Sequence, residues 1–381
     1  MALDSSMKQY VQQVQQELRQ LIRDLCAIPA PSHQEHQRAA FCKAWFEKVG
    51  GQGVYIDEAL NVVCPWGVTP EKPVVVVMAH TDTVFPDLEP MPFREDEKHF
   101  FCPGVCDDTA QLAQLMILAR YFMNYCPQPP VGVLFVANSC EEGLGNLKGS
   151  RRIAADYGSR MREFITIDAS DFVSVCNQAV GSHRYRVTVR TEGGHSFGAF
   201  GNRNAIRCLA SMIDALYSVK VPQEEGSKTT YNVGTISGGT SVNTIAQQAQ
   251  MLYEYRSDSR NCLANMETMF RAVTDAYRAM GIEVEVEKIG DRPCSGDVDP
   301  EKERALVERA AAAMQRQLGA VPKVRSGSTD CNIPLAQGIA SIAVGGCKGV
   351  GVHTREEYLE LDTLEPGCRY LLDFLHETFY A

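Results

Sequence analysis

The stretch Pro73-Val74-Val75-Val76-Val77-Met78-Ala79-His80-Thr81-Asp82-Thr83 decides the fold. From Pro73 to Ala79 no side chain is polar, on either face of an extended chain. A strand that is apolar on both faces is buried on both, as in a mostly parallel sheet. Three further runs read the same way: Val131 to Ala137, Phe164 to Ile167 and Ile339 to Val344. Between them Gln111 to Phe122 places Leu112, Leu115, Met116 and Ala119 at helical spacing. Strand–helix alternation of this kind predicts an α/β sandwich, with helices on both sides of the sheet.

Upstream, Val11, Val14, Leu18, Leu21, Ile22 and Leu25 form one apolar helical stripe. That helix should stop at Ile28-Pro29-Ala30-Pro31, because a residue before proline avoids the helical region. Ser32 and Glu35 predict a capping box opening the next helix. Downstream, from Gly181 to Lys288, the pattern changes to alternation, as in Gln250-Met251-Leu252-Tyr253-Glu254-Tyr255 and Ile282-Glu283-Val284-Glu285-Val286-Glu287. Period two with one polar face predicts antiparallel strands exposed on one side. Helical segments sit among them near Ala205–Tyr217 and Met266–Met280. The expected organisation is therefore an α/β domain over 1–180 and 289–381, with an α+β domain over 181–288 inserted into it.

A chain of 381 residues is too long for one ordinary core. Its 45% hydrophobic and 22% charged content is that of a globular protein. The net charge of -10 excludes nucleic acid as a partner, and an anionic substrate would need a local cation. No window is apolar enough to span a membrane. The N-terminal sequence lacks the basic and apolar regions of a signal peptide, so a cytoplasmic protein is expected. The 14 cysteines are then expected to be reduced thiols. Cys102 and Cys106 form a CxxxC that nothing completes into a structural zinc site.

The acids and histidines fall in telling places. His80 and Asp82 follow the first valine run, and Asp107 and Asp108 precede a helix. Glu141 and Glu142 follow the second strand, Asp168 ends the third, and His353 lies past the last. In open α/β sheets the C-terminal edge of the strands is where ligands bind. Two histidines with several carboxylates supply nitrogen and oxygen ligands suited to zinc, manganese or cobalt. Two such ions can share a carboxylate and a water. Asp82 can hold the far ring nitrogen of His80. One of the adjacent glutamates can bind metal while the other takes a proton from the water. Either member of the aspartate pair could be the ligand.

As a set, AHTDT, CPGVCDD, EEGLG, TID, GGHS, NVGTISGGTSVNTIA, GSTD and HTREEY, in this order from Ala79 to Tyr358, resemble one family. It is the two-zinc aminoacylase, glutamate carboxypeptidase, acetylornithine deacetylase and peptidase T group of metallopeptidases. The resemblance implies a zinc-exopeptidase-like catalytic domain carrying an inserted dimerisation and lid domain. It implies two divalent ions, zinc first, with cobalt or manganese as alternatives. His80, Asp107 and Asp168 would hold one ion; Glu142, His353 and the shared Asp107 would hold the other. Glu141 would be general base, and a cis peptide would follow Asp107. His195 would reach a partner subunit's active site and stabilise the oxyanion. Asn243 would contact substrate, Arg292 would grip a substrate carboxylate, and Gly327 and Ser328 would face the substrate. The implied partners are a small peptide or N-acyl amino acid and a second copy of the chain. Thr109-Ala110 depart from the Lys-Gly of many members. A tripeptide aminopeptidase resembling peptidase T, and a catalytically inactive binding relative, are the alternatives.

Overall fold

The valines of strand Val74–His80 alternate between two cores. Val75, Val77 and Ala79 pack in one cluster with Leu18, Ile22, Leu115 and Phe374. Val74, Val76 and Met78 pack in another with Ile153, Phe164 and Leu335. Successive side chains of a strand point to opposite faces, so the unbroken apolar run is explained by helices covering both. The structure, a computed structural model, describes residues 5–380. It divides into two compact units, residues 1–179 with 296–381, and 180–295.

The first unit is built on an eight-stranded, mostly parallel sheet. Its order is Tyr55–Ile56, Val62–Trp66, Gly132–Asn138, Val74–His80, Met161–Ile167, Ser341–Val344, Ser174–Ala179 and Lys323–Gly327. Val74–His80 runs parallel to both of its neighbours, with His80 opposite Asn138. Helix Gln111–Tyr125 is buried from Gln111 to Phe122 apart from Arg120. The N-terminal stripe forms two helices, Ser5–Gln13 and Gln15–Cys26, ending before Pro29.

The predicted capping box does not form. The helix begins at His36, and Ser32 lies outside it. The Ser32 hydroxyl instead donates to Asp82 Oδ2 at 2.6 Å. The Glu35 carboxylate is likewise engaged elsewhere, accepting from His33 N and Cys140 N at 3.0 Å each. Asp82 and Cys140, both remote in sequence, and the neighbouring His33 N–H have displaced the reciprocal bonds of the box.

The second unit contains a four-stranded antiparallel sheet in the order Thr229–Gly238, Gln248–Ser257, Gly181–Arg190 and Glu283–Arg292. Gln248–Ser257 alternates strictly between buried and outward residues. Val187, Met251, Tyr253 and Tyr255 meet Leu209, Met212 and Phe270 from two helices, Ala205–Tyr217 and Arg260–Ala279. The second helix starts earlier than its apolar spacing suggests, because Ser259 caps it by accepting from Cys262 N. The unit runs on to Ser295, since Glu283–Arg292 stays paired to Gly181–Arg190 as far as Arg292 opposite Ser182.

Every cysteine is a free thiol. Cys106 meets the Cys347 sulfur at 3.7 Å. Among the described residues no helix is long and apolar enough to cross a membrane.

Candidate metal centre

Parallel strands end together, and the ends of this sheet carry acids and imidazoles. His80 closes its strand opposite Asn138, and Glu141 and Glu142 follow in the next turn. Asp168 comes directly after Ile167, and its N–H donates to Val344 O at 2.8 Å. Two turns hold left-handed non-glycine residues, Cys140 at φ 56° and His353 at φ 66°. Such conformations cost energy and persist only where the surroundings impose them.

The Asp107 carboxylate sits between two imidazoles. Oδ1 lies 3.0 Å from His80 Nε2, and Oδ2 lies 2.9 Å from His353 Nε2. His353 Nε2 is also 3.1 Å from Glu142 Oε1. Ligand atoms of His80, Asp107 and Glu142 all lie within 4.8 Å of one another. The same is true of His80, Glu141 and Asp168. The second group includes Glu141, cast from sequence as the base. Imidazole nitrogen with carboxylate oxygen is the donor chemistry of a zinc-class ion, so the residues present fit such a metal.

Asp108 is turned the other way. Fully buried, it accepts from His80 N at 2.9 Å and from Gln111 Nε2 at 2.7 Å. The Asp107–Asp108 peptide is cis.

Asp82 organises the surroundings with both of its ends. Its backbone carbonyl is 2.9 Å from His80 Nδ1, and its Oδ1 is 3.5 Å from the same nitrogen. Its carboxylate accepts the N–H groups of Glu141 and Glu142 at 3.0 Å each. One aspartate thus aims the imidazole and anchors the paired glutamates.

The titration behaviour follows from crowding. Burial works against a charge on His80, but the Asp108, Asp107 and Asp82 carboxylates outweigh it and raise its pKa well above the ordinary value. Hydrogen bonds to Asp107 and Glu142 lift His353 to about 10. Burial lifts Glu142 to about 7, with Asp107 adding to it. Burial also raises Asp108 and Asp168 well above the carboxylate range. Asp107 moves down despite its burial, held by the His353 and His80 rings. A field that favours protons on both imidazoles favours divalent cations in the same place.

Two contributors escaped the sequence reading. The buried Glu357 carboxylate accepts three N–H groups from the loop that carries Asp107: Gly104 and Cys106 at 2.8 Å, Asp107 at 3.0 Å. It lies in the quoted HTREEY motif, which was the available signal. Arg38 is fully buried and donates to Leu25 O, Ile28 O, Thr81 O and Thr109 Oγ1. It fixes the residue between His80 and Asp82, and it gives Thr109 a structural task.

The second unit holds three of the singled-out residues. His195 and Asn243 are brought together by pairing of His195 with Thr244 and by Ser196 N donating to Asn243 O at 2.9 Å. His195 Nδ1 accepts from the N–H groups of Phe197 and Gly198, each at 3.3 Å. Two donors on Nδ1 match the tautomer that carries its proton on Nε2. Arg292, 4% exposed, ends its strand opposite Ser182. In the first unit Gly327 ends the strand paired to Ser174–Ala179, and Ser328 follows.

Comparison with known proteins adds the following. The family model described as peptidase family M20/M25/M40 matches residues 76–377. A probable carboxypeptidase of Arthroderma benhamiae is 28% identical over 225 residues, covering 54% of this chain and 47% of that protein. The chain thus spans about half the length of the curated carboxypeptidase-named relatives it matches. A tripeptidase from Staphylococcus aureus shares the fold with a TM-score of 0.76 at 23% identity, over 94% of this chain and 97% of that one. A Bacillus subtilis protein described as a dinuclear metal-binding peptidase has a TM-score of 0.65 at 16% identity, over 97% and 99% of the two chains.

Proposed function

The chain belongs to peptidase family M20/M25/M40, and from that premise we propose that it is a two-metal hydrolase that cleaves the amide bond of a small peptide or N-acyl amino acid. The observation that carries this reading is the Asp107 carboxylate, with one oxygen on each of two imidazole Nε2 atoms. His80, Asp107 and Asp168 would hold one ion; His353, Glu142 and the same Asp107 would hold the other. When bound, zinc, or cobalt or manganese in its place, supplies Lewis acidity to the scissile carbonyl and to water.

The protein's own groups do the rest. Glu141 takes a proton from the attacking water and returns it to the nitrogen of the breaking C–N bond, as the new C–O bond forms. Asp82 holds Glu141 and Glu142 by their backbones, so the base and the ligand keep their spacing. His195, with its proton on Nε2, donates to the developing oxyanion in the partner subunit's active site. Asn243, Gly327 and Ser328 position the substrate, and Arg292 offers a fork of donors to its carboxylate. The working form is a homodimer. Apolar side chains left exposed in the second unit, Ile206 and Ile236 among them, support an interface there. The set of free thiols supports a cytoplasmic location.

Hydrolysis of a dipeptide and acyl-amino-acid panel by the metal-restored protein tests the reading. Inactivity across the panel with both ions bound would favour the inactive binding relative. The burial of Arg292 favours a second enzyme reading, a tripeptide aminopeptidase that recognises a free amine. Arg292→Ala separates the two. Gripping a carboxylate predicts a much larger rise in KM for free acids than for carboxamides, whereas amine recognition predicts equal effects.

A further inference from the structure

Among the described buried oxygens of the first unit that have no hydrogen-bond donor are Asn138 Oδ1 and Asp330 Oδ1. Both side chains are fully buried. They already touch, since Asn138 Nδ2 donates to Asp330 Oδ2 at 2.6 Å. An ionised carboxylate only accepts, so neither orphan oxygen can serve the other while Asp330 carries a charge. One proton on Asp330 Oδ1 changes this. A carboxylic acid and a primary amide are complementary both ways, acid O–H to amide oxygen and amide N–H to acid oxygen.

We propose that Asp330 works as an un-ionised carboxylic acid locked to Asn138, and that this acid–amide pair is a positioning device joining the strand before Glu141 to the Gly327–Ser328 loop. The proposal rests on the hydrolase reading above. Asn138 ends its strand, and its carbonyl accepts both the N–H and the hydroxyl of Thr81 at 2.7 Å. Thr81 stands between His80 and Asp82. Behind Asp330, the Ser150 hydroxyl donates to its carbonyl at 2.8 Å, tying in helix Lys148–Tyr157. Displacing Asp330 would therefore disturb the strand ends and the substrate loop together.

The charges that face Asp330 agree with a proton there. Burial, then the Glu141 carboxylate, push it up to about 8, with Asp82 adding and His80 and the Asn138 bond opposing. Asp168 shares this field. A neutral Asp330 adds no second negative charge beside Glu141. An ionised one would be a buried anion with a single hydrogen bond, a costly arrangement.

Asp330→Asn tests the pair in the metal-loaded full chain, because an amide can both donate to Asn138 Oδ1 and accept from Asn138 Nδ2. The infrared difference between wild type and Asp330→Asn, taken near neutral pH, is expected to show the carbonyl band of an un-ionised acid. Asp330→Asn should keep kcat within about threefold, while Asp330→Ala loses about 100-fold. Freed of metal, wild type should lose stability as pH rises from about 4, where the unfolded acid ionises, to about 8, where the folded one does; metal-free Asp330→Asn should lose less over the same range. A carboxylate band in place of the acid band, or an Asp330→Asn as damaged as Asp330→Ala, would overturn the proposal. If Asp330→Ala does not fold, the infrared and pH readouts still decide. They need no turnover, so failure of the hydrolase reading remains a separate outcome.

Discussion

Asp82 occupies a position from which one residue bonds four others. Its carbonyl faces His80 Nδ1, and its carboxylate collects Glu141 N, Glu142 N and the Ser32 hydroxyl. The adjacent glutamates are therefore held by their main chain, and their carboxylates stay available for different tasks. Glu141→Gln should retain both metals by elemental analysis while kcat falls about 10²- to 10⁴-fold, because the ligand shell is spared and the proton carrier is lost. Loss of metal from that variant would mean that the two glutamates exchange roles. Glu357→Gln should weaken metal binding about 10- to 100-fold in a chelator competition. Its new amide N–H₂ must face a backbone N–H in the Gly104–Asp107 loop, where a carboxylate oxygen now accepts. Unchanged affinity would remove Glu357 from the support of the site. At this scale the ligand types were legible, because strand ends announce them. Arg38 was not, because its partners are remote in sequence and nothing local hints at them, and Glu357 was marked only by its place in HTREEY, with its partners on a distant loop.

Among the elements, local signals succeeded where the local partner had no competitor. Ser259 and Asn204 cap their helices with their own side chains. Ser32 had a competitor in Asp82, and the box predicted for it gave way to the site. Ser259→Ala should cost about 1 kcal/mol by denaturant titration, with metal content unchanged. A loss of metal in that variant would show that the capped helix of the second unit bears on the centre after all. The doubly buried strands were readable because unbroken valine has few other uses. The length of the second helix in the inserted segment was not, since its first turn bunches Cys262, Leu263 and Ala264 together and its start is set by one hydroxyl.

For the whole molecule, metal and stability should be linked. Binding to the folded state alone adds about 2.7 kcal/mol per site when free metal is 100 times its Kd. Chelation should therefore lower Tm, and restored zinc should raise it again; a Tm indifferent to chelator would argue against ions held by these residues. The pH dependence should differ between the two forms. In metal-free protein, bonds to Asp107 and Glu142 raise His353 to about 10. The stability this gives is fully present below the unfolded histidine value of about 6.5 and is lost as pH rises through about 10. Metal-loaded protein should lack that decline, because the cation replaces the proton, and should instead release its ions on acidification. Melting curves across this range with and without chelator check both signs.

The four consecutive valines of Val74–His80 have a consequence for how the chain finds its place. Each valine resembles the next, and both sides of the sheet are dry, so the core barely distinguishes the correct alignment from one slipped by a residue. What distinguishes them lies at the rim, where Thr81 bonds Asn138 and Arg38 grips the Thr81 carbonyl. A slipped strand would forfeit those bonds and present a threonine where the imidazole belongs. The polar groups around the centre thus act as a vernier for an otherwise featureless rod, and mutations there should produce misaligned, kinetically trapped chains as well as inactive ones.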